Sequence, residues 1–65
     1  MAAYHIHLEG FFNELNSTAE LQAWVRELKA RFPDLIGKTA TVLKGERKGD
    51  AVLYSGAPVQ IVVSA

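Results

Sequence analysis

A chain of 65 residues with seven acidic and seven basic side chains and no cysteine excludes several classes at the outset. A chain this short buries only about 60% of the surface its unfolded form exposes, so residues 1–65 make one small domain with a thin core. Without cysteine there is neither a disulfide nor a thiolate metal site, zero formal charge argues against a strongly basic nucleic-acid binder, and no segment approaches the roughly 20 apolar residues of a membrane span.

The start, Met1-Ala2-Ala3-Tyr4, shows no basic region leading into an apolar stretch, so the expectation is a soluble cytoplasmic protein. Close packing or self-association is what remains to stabilise so short a chain, and self-association, as a dimer, is the expectation. Charge is unevenly spread. Residues 1–25 hold Glu9, Glu14 and Glu20 with no Lys or Arg, while residues 26–48 hold all seven basic groups.

The first element is a strand from Tyr4 to Glu9, because Tyr4, Ile6 and Leu8 alternate with His5, His7 and Glu9. Gly10 stops it. Phe11 and Phe12 then stand in a connector, where at least one is expected to tuck beneath the helix, and 13–16 complete the link. Ser17-Thr18-Ala19-Glu20 reads as a capping box that opens a helix over Thr18 to Arg31. Leu21, Trp24, Val25, Leu28 and Phe32 form its apolar stripe, and Pro33 ends it by pushing Phe32 out of the helical region. Trp24 lies in the middle of that stripe and is expected as a core anchor.

After Gly37 the apolar period changes to two. Three strands are expected, over Lys38 to Lys44, Asp50 to Tyr54 and Val59 to Ser64, separated by a hairpin loop at 45–49 and a turn at Ser55-Gly56-Ala57-Pro58. The result is an α+β fold: a single four-stranded mixed sheet in the order β-α-β-β-β, with one amphipathic helix on one face and the first two strands parallel through a right-handed crossover. The expected pairing puts Thr39, Thr41, Leu43, Val52, Tyr54, Val59, Ile61 and Val63 under the helix. It leaves Ala40, Val42, Ala51, Leu53, Gln60 and Val62 on a second face too apolar to meet water alone.

Chemistry is sparse. His5 and His7, with Glu9 on the same side of a strand, are the weak candidates for a metal, since imidazole and carboxylate both suit zinc; a solvated face or a partner contact is the simpler reading, and no metal or other cofactor is implied. Gly37-Lys38-Thr39 resembles only the tail of a phosphate loop, lacks the earlier glycine, and leads from helix to strand instead of the reverse. No nucleophile, base and acid group together, so an enzyme is not expected.

Two surfaces remain. Lys44, Arg47 and Lys48 at the hairpin, helped by Lys38, form a basic tip, and Val42, Leu53 and Val62 represent the second sheet face. The expectation is a small non-enzymatic binding protein, a regulator or inhibitor of another protein of the kind that mobile elements or phages encode. A dimeric nucleic-acid-binding module using the basic hairpin is the first alternative, and a homo-oligomer enclosing a small ligand or metal at the His5/His7 face the second.

Overall fold

The computed structural model describes residues 2–65. Its elements are β1 (Ala2–Leu8), β2 (Phe11–Leu15), α1 (Thr18–Arg31), a single 3-10 turn (Pro33–Leu35), β3 (Thr39–Lys48), β4 (Ala51–Tyr54) and β5 (Val59–Val62). The α+β class holds, with one helix packed on one face of one sheet.

The sheet differs from expectation in two ways. It has five strands, and every pairing is antiparallel. Both differences have one cause: 11–15, expected as a connector, form β2, which turns back on β1 through Glu9 and Gly10 with Leu8 opposite Phe11. An added strand reverses the chain once more before the helix, so β1 meets β3 antiparallel and no crossover is needed.

The strand order is β2-β1-β3-β4, and β5 pairs with β3 as well. One long strand serves two short ones. Gly45 to Lys48 pair with β4 and Thr39 to Val42 with β5, so β4 and β5 lie end to end along the same edge of β3. Ser55 to Pro58, expected as a reversing turn between meander strands, is instead an outward excursion from a single interrupted edge strand. Ser55 N–H still donates to Lys44 O at 3.1 Å, Gly56 takes a φ of 84°, and Pro58 has no N–H to lose from the ladder.

The helix matches its signals. Ser17 Oγ accepts the Glu20 N–H at 3.2 Å, and Glu20 Oε2 accepts the Asn16 N–H at 2.9 Å, one residue before the cap itself. Lys29 and Arg31 stand in the last turn, where the helix dipole favours positive charge. The stripe of α1 packs on the sheet, giving a core of Ile6, Leu8, Leu21, Leu35, Ala40 and Val63, with Trp24, Val25 and Leu28 half-buried around it. Phe11 is the plug beneath the helix end, its ring 5.1 Å from that of Phe32, and Phe12 points to the opposite side.

The two faces of β3 and β4 are exchanged relative to expectation. Ala40 and Val42 pair with Leu8 and Ile6 and therefore lie beneath α1, and Leu53 and Ala51 share their side of the sheet. Thr39, Thr41, Leu43, Val52 and Tyr54 take the other face. Val59, Ile61 and Val63 stay on the helix side and Gln60 and Val62 on the far side, as expected.

Candidate functional site

Among the described residues, no layer covers the face of the sheet turned away from α1. Cross-strand partners share a face, so the register joins His7 with Phe12 and Thr41, His5 with Glu14 and Leu43, and Arg47 with Val52. Phe12 is 71% exposed and Val62 65%, at opposite flanks of this surface. The His7 ring lies 6.4 Å from that of Phe12, Leu43 and Thr41 are half-buried between the flanks, and Val52 is half-buried on the same edge as Val62. The result is a wide surface in which Phe12, Leu43, Val52, Tyr54 and Val62 are interleaved with His5, His7, Thr41 and Gln60.

At one end of the face is a polar cluster built on four strands. Arg47 donates to the Glu14 carboxylate, and Tyr54 sits edge-on to His5 with ring centres 5.8 Å apart. Burial, then the charge of Glu14 and its hydrogen bond, push the Tyr54 hydroxyl above its ordinary pKa of 10.0, with Arg47 pulling the other way. Ala3 and Gly45, neighbours across β1 and β3, are both buried, and Gly45 faces Tyr54 directly. These small residues make room for the tyrosine ring. The cluster is thus tied together internally: its carboxylate is held by a guanidinium and a phenol, an arrangement suited to fixing the position of Tyr54 and Arg47.

The metal candidates do not converge. His5 and His7 share the open face, but Glu9 lies in the β1–β2 turn with a φ of 55°, outside the alternation that would have aligned it with them. Glu14 is the carboxylate opposite His5, and it is held by Arg47. Among the described residues no group of three ligating side chains is placed to hold a metal ion.

The basic tip is also divided. Lys44 and Lys48 alternate with Arg47 along β3, so the two lysines lie on the helix side and the arginine on the open face. Lys38 precedes the other end of β3, roughly 33 Å away along an extended strand. Of the three residues that represented the second face, Val62 is there. Val42 is half-buried against the core beneath α1, and Leu53, although 61% exposed, is on the helix side beyond the helix's reach.

Phe12, Leu43, Val52 and Tyr54 belong to the open face and were not expected there. The signal that finds Phe12 is the pair Glu9-Gly10: read as a two-residue turn, it sets Phe12 opposite His7. At the free edge of β2 the Glu14 N–H donates to Asn13 Oδ1 at 2.8 Å, which withdraws that donor from pairing with another strand. The face therefore offers more than the edge does.

No family model matches this chain, and neither does any curated protein or solved structure. No helix of the described residues is long and apolar enough to cross a membrane.

Proposed function

We propose that this chain is a non-enzymatic binding domain that regulates or inhibits another protein by covering part of its surface with the open sheet face. One observation carries the reading: a sheet face with exposed Phe12 and Val62 at its flanks, half-buried Leu43 between them and half-buried Val52 on the same edge as Val62, has no layer above it among the described residues. Aromatic anchors in an apolar patch with a polar, internally tied cluster at the rim are what protein interfaces use. The division of the basic residues between two faces and two ends supports a protein partner over a phosphate backbone, which would call for them on one surface.

The test is capture from extract of the native host. Wild-type chain retains a stoichiometric protein partner, Phe12→Ser with Val62→Ser loses it, and Lys38→Glu with Lys48→Glu keeps it. Retention by the face variant and loss by the charge variant overturns the reading in favour of the basic tip. The expected dimer is the alternative use of the face, and light scattering coupled to size exclusion over a concentration series decides it: a monomer, or a dimer that Phe12→Ser leaves intact, keeps the face for another protein, and a stable dimer dispersed by Phe12→Ser contradicts the reading.

A further inference from the structure

The helix side of the sheet is only half covered. The sheet is four strand positions across, about 19 Å at the usual spacing, whereas a helix with its side chains is about 10 Å wide. α1 lies over β1 and β2, against the 3-10 turn. Beside it, above β3 and β5, runs a trough along most of the helix, made of two adjoining stretches of about 330 and 290 Å³ that share Leu21, Gln22 and Ile61. Its apolar walls and floor come from Tyr4, Leu21, Val25, Val42 and Ile61.

The lining is charged with one sign. Lys44 stands at one end of the trough and Arg26 and Lys29 along the other, and no carboxylate lines it among the described residues. Glu46 follows Lys44 by two residues on the same side of β3 but outside the lining. Lys29 Nζ donates to Ser64 O at 2.7 Å, which holds its charge at the rim.

We infer that this trough receives an amphipathic α-helix of a partner protein whose apolar stripe is flanked by acidic side chains. The dimensions suit that occupant: helices packed on one sheet lie 8–10 Å apart, and the distance from Thr18 to Lys29 along α1 is about 17 Å, or three turns, enough for apolar anchors at i, i+3, i+4 and i+7. Charge selects it, because Arg26, Lys29 and Lys44 attract glutamates beside the stripe and repel lysines there. The trough lies on the other side of the sheet from Phe12 and does not depend on the reading of the open face, although Val62, on the β5 edge, borders both surfaces.

Two synthetic peptides of about three turns, identical in a leucine stripe and flanked by glutamate in one and lysine in the other, test it by amide-shift titration of the isotopically labelled chain. The acidic peptide is expected to saturate, moving the amides of Leu21, Val25, Val42 and Ile61, and to bind about tenfold more tightly than the basic one. Arg26→Glu with Lys44→Glu, both exposed positions, should reverse the preference, and Phe12→Ser should leave it unchanged. Equal binding of the two peptides, shifts confined to the open face, or no saturable shift with either peptide overturns the inference. Loss of acidic-peptide binding in Phe12→Ser would transfer the site to the open face.

Discussion

A methyl group at Gly45 would have to enter space held by Leu53 O at 2.6 Å and the Tyr54 ring at 2.8 Å. The first of these is backbone, which does not give way cheaply. Gly45→Ala should therefore destabilise the chain by about 1–3 kcal/mol in urea unfolding, and a change below a few tenths would show that the Tyr54 ring is not seated there. Glu9 presents the opposite case. It holds a φ of 55° in the β1–β2 turn, a region that asparagine adopts at lower cost than glutamate, so Glu9→Asn should raise stability by about 0.5–1 kcal/mol. Tyr54 supplies the pH dependence. Its folded pKa is raised by burial and then by Glu14, so the folded state keeps this proton where the unfolded chain has released it, and the stabilisation is complete below the unfolded value of 10.0 and is lost as pH rises through the higher folded one. Spectrophotometric titration of the phenolate should show Glu14→Gln bringing Tyr54 back towards its ordinary value. An unchanged titration would separate the two residues.

Among the elements, α1 was the most legible, since its start, period and stop are each written in separate residues. Ser17 caps it, Leu21 to Leu28 set the stripe, and Pro33 forbids continuation. Ser17→Ala should cost about 1 kcal/mol, read from the thermal midpoint and helical circular dichroism; no loss would mean that Glu20 alone holds the first turn. β2 was hidden because its pattern contradicts its position: Phe12 is the large apolar residue on the outward face and Asn13 the polar residue on the inward one. The faces of β3 were ambiguous for a related reason. Thr39, Thr41 and Leu43 are about as apolar as Ala40 and Val42, so alternation alone does not choose between them, and only the pairing with Ile6 and Leu8 does. The excursion at Ser55 to Pro58 carries the glycine and proline of an ordinary reversing turn. Whether such a loop sends the chain back along a new strand or returns it to the same edge depends on the unfilled half of β3, a long-range fact absent from the four residues themselves.

At the scale of the molecule, surface dominates interior. The accessible area is 4462 Å², against about 4,100 Å² for a typical folded monomer of this mass, and Ile6 and Leu8 are the largest side chains almost wholly removed from water. One helix cannot cover both faces of a five-stranded sheet, and the described residues supply no second layer. That is why the candidate site could be anticipated only in kind: an apolar second face is implied by the composition of the strands, but which residues it holds follows from register. His5 and His7 mark it in the sequence, Val62 was placed correctly, and Phe12, Leu43, Val52 and Tyr54 emerge only from pairing. The open face as the working surface is tested most directly by a photo-cross-linking phenylalanine analogue installed singly at Phe12, at Val62 and at Leu53 in the native host. Adducts to another protein from positions 12 and 62, with none from position 53, are the predicted result. An adduct from position 53 with none from position 12 or 62 would contradict it.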